Sequence, residues 1–334
     1  MRIAVLDDFH RVYESSAGVA RLREHAEVTV YTEPAASRAA LADRLRGVPI
    51  VIANRERTPF PADLFPLLPD LELVCNTGGH LYHVDIPAAT AAGVALQLAY
   101  ATNADTTGRS TAELTLALMQ AVMRRIPQTD RALRRGEWSM PLGHVLYGKT
   151  LGIVGLGRVG RHVARLAGAF GMRLLAWGPT LTPERAAQAG AAYRDLDALL
   201  AEADVVSIHL ALSDQSRGLF DEARLRRMKP TAYLINTARG AIVDEGALVR
   251  VLREGAIAGA ALDVFVQEPL PPDHPLTTLE NVVLTPHLGW PADLTYREFA
   301  DDAADKILAY LRGDYRAVLN PEALGRRPTR ARLP

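Results

Sequence analysis

Three residues in the last third of the chain carry side chains suited to moving a proton and holding an acid. His287 follows the apolar run Val282-Val283-Leu284 and the stop Thr285-Pro286, in NVVLTPHLGW. Glu268 lies just beyond a strand-like run in ALDVFVQEPL, and Arg239 just beyond another in AYLINTARG. An imidazole gives or takes a proton near neutral pH. A carboxylate beside it orients the ring and favours its protonated form. A guanidinium presents a planar fork to a carboxylate. Singly, each has a plainer reading: a loop histidine, a capping or ion-pairing glutamate, a surface arginine. As a set they are coherent, because each follows a strand-like run, and the C-terminal ends of strands are where open α/β sheets bind ligands. Asp244 and Glu245, in VDEGAL, read instead as the cap of the helix that follows.

A second constellation is LGIVGLGRVG. Gly155, Gly157 and Gly160 make GxGxxG, directly after a strand pattern and at the start of the helical stretch RVGRHVARLAGAF. In that context the first glycine makes a tight turn, the second admits a pyrophosphate to the backbone, and the third lets helix and strand pack closely. Arg158 and Val159 then stand at the helix N-terminus, whose free N–H groups and positive dipole end favour phosphate. Thr237, closing AYLINT, is a further candidate on the cofactor side. The usual next mark is an acid that holds the ribose 2′-hydroxyl, about 20 residues on. Here the chain reads AWGPTLTPER, with Gly178 in that place. No carboxylate repels a 2′-phosphate there. Thr180 or Thr182 can hydrogen-bond one, but no Arg directly follows the strand to grip it; Arg185 is within possible reach and reads rather as facing solvent on the next helix. The cofactor is left open as NAD or NADP.

These residues need a scaffold, and strand-like and helix-like runs alternate almost throughout. Strands are expected at 3–6, 28–31, 50–53, 71–75 and 94–98, then at 151–155, 173–177, 204–210, 232–237, 258–264 and 282–285. Such alternation indicates α/β architecture with parallel sheets covered on both faces. Between the two series lies a long amphipathic helix, about 107–125, followed by a polar connection from Gln128 to Thr150 that reads as irregular. A last helix is expected over about 293–312, and the basic tail GRRPTRARLP shows no periodicity. A chain of 334 residues fits about two domains. With 38 basic and 38 acidic residues, nothing suggests a nucleic-acid surface or a polybasic membrane patch. No run reaches the roughly 18 apolar residues of a membrane span, and the N-terminus has no signal-peptide pattern. A cytoplasmic protein without a metal site is expected. The one cysteine, Cys75 in LELVC, reads as a buried strand thiol.

The chain resembles the D-isomer-specific 2-hydroxyacid dehydrogenase family. The resemblance rests on STAELTLALM, GKTLGIVGLGRVG, MKPTAYLINTARGAIVDEGALVRVL, GAALDVFVQEPLPPDHPL and NVVLTPHLGW, in the family's order. It implies two Rossmann-like or flavodoxin-like parallel-sheet domains with the active site in the cleft between them. Residues 1–100 with 290–334 would bind substrate, and 101–289 the dinucleotide. Arg239, Glu268 and His287 match the family's catalytic Arg, Glu and His. Asp263 matches an acid that holds the nicotinamide carboxamide, with strand-end capping as its plainer role. The implied reaction is hydride transfer between nicotinamide and C2 of a 2-oxo or 2-hydroxy acid. Hydroxypyruvate or glyoxylate reduction is the main rival within the class, and a cofactor-sensing, corepressor-like binding protein the rival outside it. The loop CNTGGHLYHVD matches the substrate loop, with backbone N–H groups around Gly78 and Gly79 facing the carboxylate. His80, Tyr82 and His83 depart from the common pattern, as does ATNADTTGRSTAE before the long helix. Gly79 stands where phosphite-oxidising relatives carry Lys, and Glu268 where formate dehydrogenases carry Gln, which argues against those substrates. Trp138, Met140 and Trp290 are candidates either for the pocket or for packing between domains or subunits. The family also suggests a homodimer formed through the dinucleotide domains.

Overall fold

The computed structural model describes residues 1–100, 106–326 and 332. Residues 101–105, within the ATNADTT stretch, and most of the basic tail lie outside the described residues. The chain divides into two units, Met1–Thr106 with Ala292–Pro334, and Thr107–Pro291.

The first unit holds five parallel strands: β1 (Arg2–Val5), β2 (Glu27–Val30), β3 (Ile50–Asn54), β4 (Leu73–Thr77) and β5 (Ala95–Ala99), in the order β2-β1-β3-β4-β5. The central β3 and β4 are buried at every residue, while the edge strand β2 alternates. Strands covered on both faces need continuous apolar runs, which is why these were plain in the sequence. Helices α1 (Ala17–Arg23), α2 (Arg38–Arg44) and α3 (Ile86–Ala91) begin at Ser16, Ser37 and Asp85. Each of those side chains accepts a first-turn N–H. The C-terminal helix Asp293–Leu311 packs on α1, where Gly18 lies against the Ala300 carbonyl. Cys75 is free and fully buried, and burial pushes its thiol up to about 12.

The second unit has seven parallel strands: β6 (Thr150–Val154), β7 (Arg173–Trp177), β8 (Ala192–Tyr193), β9 (Val205–Ile208), β10 (Tyr233–Asn236), β11 (Gly259–Leu262) and β12 (Val282–Leu284). Their order, β12-β11-β10-β9-β6-β7-β8, reverses direction at β6. The crevice at such a reversal is where dinucleotides bind. The helices are α4 (Thr106–Met123), α5 (Ile126–Arg134), α6 (Arg158–Ala169), α7 (Pro183–Gln188), α8 (Leu196–Glu202), α9 (Glu222–Leu225) and α10 (Glu245–Arg253). Alternate residues of the sheet enter two separate cores. Val206, Ile208 and Leu234 pack with Leu199 and Leu248 on one side. Val205, Tyr233 and Ile235 pack with Met119 and Val163 on the other.

Two expectations change. The stretch after Pro127 is not wholly irregular, because α5 occupies Ile126–Arg134. Pro127 stands in the first turn of α5, where its missing N–H removes no intrahelical bond. Arg125, with φ of 54°, breaks the path from α4. The two-residue β8 was not foreseen, being too short to show a period.

Candidate active site

The glycine loop has the geometry that a dinucleotide requires. Gly155 has φ of 104°, and its N–H donates to the Trp177 carbonyl at 2.8 Å. A Cβ on Gly160 would stand 2.1 Å from the Gly155 carbonyl oxygen, so only glycine allows this approach of α6 to β6. Gly157 caps α6 without a side-chain hydrogen bond, and a Cβ there would meet nothing within 4 Å. Uncapped first-turn N–H groups beneath open space fit a pyrophosphate. Arg158 is exposed and borders Gly108 of α4, while Val159 packs toward the core. The Thr237 hydroxyl lies 3.0 Å from that of Thr115 on α4, a partner that no local pattern announced.

In the β7–α7 turn, the Thr182 hydroxyl caps α7 by accepting the Arg185 N–H at 3.3 Å. Arg185 is exposed, as expected, and its Nη1 also donates to the Thr180 carbonyl at 2.8 Å.

At the other end of the sheet, His287 Nδ1 and Glu268 Oε2 are 2.8 Å apart. The other Glu268 oxygen accepts the Phe265 N–H at 2.9 Å, which fixes the carboxylate plane. Burial alone would raise the Glu268 carboxyl. The hydrogen bonds from His287 and the Phe265 N–H, with the charges of His287 and Arg239, outweigh it and hold the group below its ordinary value. Both side chains remain about one-third exposed, at 35% and 38%, so the ring can be reached. Arg239 is exposed at the start of the one-turn helix Gly240–Ile242. Its backbone carbonyl accepts from Asn236 Nδ2 at 3.0 Å. A Cβ on Gly240 would lie 2.0 Å from the Phe265 carbonyl carbon, so the Arg239 turn is pressed against the segment leading to Glu268.

Asp263 is fully buried and both its oxygens are engaged. Oδ1 accepts from the Thr285 hydroxyl at 2.6 Å and the Leu288 N–H at 2.7 Å, and Oδ2 from the Gly289 N–H at 2.9 Å. Burial raises its carboxyl, opposed by these bonds and by the His287 charge. The bonds tie the end of β11 to the loop on which His287 adopts φ of 56°, a left-handed conformation that non-glycine residues hold only when neighbours enforce it.

In the first unit, Gly78 has φ of 103°, and its N–H donates to the Ala99 carbonyl at 2.8 Å. That donor is committed within the sheet, so the substrate-loop expectation falls on Gly79. His80 stacks on Tyr82 with ring centres 4.1 Å apart, and His83 meets both rings edge-on. Burial, then the neighbouring His80, lowers the half-buried His83. Trp138 and Met140 are 79% and 82% exposed.

A glycine-loop sheet that also carries a hydrogen-bonded His–Glu pair beside an arginine defines a nicotinamide-dependent oxidoreductase. The model of the D-isomer specific 2-hydroxyacid dehydrogenase NAD-binding domain matches residues 116–289. A glyoxylate reductase of Korarchaeum cryptofilum is 38% identical over 322 residues, 93% of this chain and 95% of that protein. A D-3-phosphoglycerate dehydrogenase of Archaeoglobus fulgidus is 40% identical over 240 residues, 71% of this chain and 45% of the longer relative. An oxidoreductase structure from Ralstonia solanacearum, 37% identical, superposes with a TM-score of 0.81 over 97% of this chain and 98% of that one. The chain belongs to the D-isomer-specific 2-hydroxyacid dehydrogenase family, whose members are NAD(P)-dependent oxidoreductases acting on CH–OH donors.

Proposed function

We propose that the protein reduces a 2-oxo acid to the D-2-hydroxy acid, with Arg239, Glu268 and His287 as its catalytic residues. The observation that carries these roles is the 2.8 Å contact between His287 Nδ1 and Glu268. With Nδ1 held by the carboxylate, Nε2 is the ring nitrogen left to exchange a proton with substrate. When bound, the reduced nicotinamide supplies the hydride to the C2 carbonyl carbon. Protonated His287 gives its Nε2 proton to the C2 oxygen as negative charge develops there. Glu268 keeps the ring oriented and favours its charged form. Arg239 holds the substrate carboxylate and draws charge from the C2 oxygen, an interaction that strengthens toward the transition state. In the reverse direction, neutral His287 with its proton on Nδ1 accepts the hydroxyl proton at Nε2.

The uncapped α6 N-terminus holds the cofactor pyrophosphate, with Gly155, Gly157, Arg158, Val159 and Gly160 around it. Thr180 and Thr237 border the cofactor. Asp263, expected at the nicotinamide carboxamide, is instead fully buried with both oxygens bonded to Thr285, Leu288 and Gly289, so its part is to hold the His287 loop; Gly79 offers its N–H to the substrate carboxylate. The protein acts in the cytoplasm on a small acid, with no nucleic-acid partner. It works as a homodimer, a reading supported by the exposed apolar series Leu133, Trp138, Met140, Leu142 and Val145. A second reading, glyoxylate as the preferred substrate, is favoured by the Korarchaeum relative. Initial rates with a panel of 2-oxo acids, including glyoxylate and hydroxypyruvate, against NADH and NADPH test both. Turnover of several with a clear best substrate is expected. Nucleotide binding without turnover of any would overturn the enzymatic reading in favour of a cofactor sensor.

A further inference from the structure

Between α6 and α7 lies a cavity of about 520 Å³, lined by Leu156, Leu181, Gln188 and three arginines, Arg161, Arg165 and Arg185. The arginines come from different elements. Arg161 and Arg165 are one turn apart on the exposed side of α6, and Arg185 reaches in from α7. Like charges at this helical spacing oppose each other slightly, and a third cation adds to the repulsion. Elsewhere in the unit arginines answer carboxylates: Arg194 pairs with Glu202, Arg226 with Glu222 and Glu254, and Arg250 with Glu222. Among the described residues, none of the three cavity arginines forms an ion pair. The nearby Glu184 is turned to Thr182 and its own backbone N–H. Arg185 is further fixed by its bond to the Thr180 carbonyl, which holds its guanidinium over the β7–α7 turn. Three guanidinium groups around a shared space, unanswered by acid, make a site for a multiply charged anion.

The position of the cavity limits which anion. One wall is Leu156, inside the glycine loop. Another is Leu181, three residues beyond Gly178, whose place would ordinarily hold the acid that binds the ribose hydroxyls and repels phosphate. We propose that this arginine cavity receives the 2′-phosphate of NADPH, so that the protein selects NADPH over NADH through α6 and α7. The inference rests on the second unit being the dinucleotide-binding unit, as proposed above. A single charge-assisted contact typically carries about a tenfold effect or more, so three cations make a marked preference.

The test is direct binding by calorimetry to the full chain, using adenosine 2′,5′-bisphosphate, 5′-AMP and inorganic phosphate, with NADPH and NADH as competitors. The bisphosphate is expected to bind at least about tenfold tighter than 5′-AMP, to be displaced by NADPH, and to weaken steeply with salt. Arg161→Ala and Arg185→Ala should each remove most of that advantage while leaving 5′-AMP and NADH affinity in place. Arg185→Lys, which keeps the charge without the fork, should restore part of it. Equal affinity for the bisphosphate and 5′-AMP in the unaltered protein overturns the proposal. So does equal weakening of both ligands in the variants, or inorganic phosphate that binds here without displacing the bisphosphate. The two readings fail separately: turnover with NADH but no 2′-phosphate preference sinks only this inference, whereas a 2′-phosphate preference without turnover of any 2-oxo acid sinks only the enzymatic one.

Discussion

The two parallel sheets share a construction but differ at their C-terminal strand ends. In the first unit, polar side chains at that edge bond to their own scaffold. The Asp8 carboxylate accepts from the N–H groups of Val12, Tyr13 and Glu14 at 3.0, 2.9 and 3.4 Å. Asn54 donates to the Asp7 carbonyl and Asn76 to that of His80. In the second unit, beside the braced Asp263, part of the same edge is left open. Gly157 faces empty space, and the His287–Glu268 pair is one-third exposed. A parallel sheet supplies an edge suited to ligands, and the difference shows that the fold alone does not fill it. Where strand-end groups are committed to backbone they brace loops, and where they stay reachable they can do chemistry.

The contrast can be broken at either edge, and the largest effect is expected at the open one. His287→Ala should lower kcat by about 10²–10⁴-fold, the usual contribution of a positioned acid–base group, while nucleotide affinity stays near that of the unaltered protein. A matching loss of nucleotide affinity would assign His287 to folding. Arg239→Lys keeps a charge but not a fork, and should lower kcat/KM by about 10- to 100-fold. Near-normal kinetics with the best 2-oxo acid would remove Arg239 from the substrate.

At the braced edge the expected outcome is different in kind. Asp8→Ala leaves three N–H groups without their acceptor, and should destabilise the chain by about 1–3 kcal/mol. Thermal unfolding measures this, and kcat of the protein that remains folded should hardly move. A collapse of kcat at unchanged stability would make the braced edge chemical after all. The finest test is Glu268→Gln. The Glu268 carboxyl sits below its ordinary value, so its charge is present at neutral pH and is lost only as pH falls through that lowered value. Glu268→Gln removes that charge at every pH, so the pH dependence of reduction that arises as Glu268 itself titrates should vanish from the profile. An unshifted profile in the variant would mean that the 2.8 Å contact has no electrostatic consequence in solution.

Much of the scaffold was legible because strands such as β3, β4 and β6 are covered on both faces and must be apolar along their length. The site was legible in part because its residue types are scarce at strand ends and chemically matched. What escaped depended on contacts distant in sequence or on a single dihedral angle. Pro127 marks both the end of a helix and the first turn of another, and only the left-handed Arg125 decides that α5 follows. Arg185 is exposed, as its helical position indicates, but that position says nothing of its side chain curling back to the Thr180 carbonyl. The Gly78 N–H was offered to substrate because its bond to the Ala99 carbonyl joins strands that no local pattern aligns. The hold of Asp263 on Thr285, Leu288 and Gly289 was hidden for the same reason.

That hold has a consequence for how such a protein can change. Asp263 clamps the His287 loop, and Glu268, a few residues further along the same chain segment, aims the ring. Carrier, aiming group and clamp thus descend from one strand end and its neighbour. Substitutions elsewhere that alter which acid is accepted leave this short assembly untouched. On the roles proposed above, a change of accepted acid made at other positions would leave the proton-transfer assembly as it is.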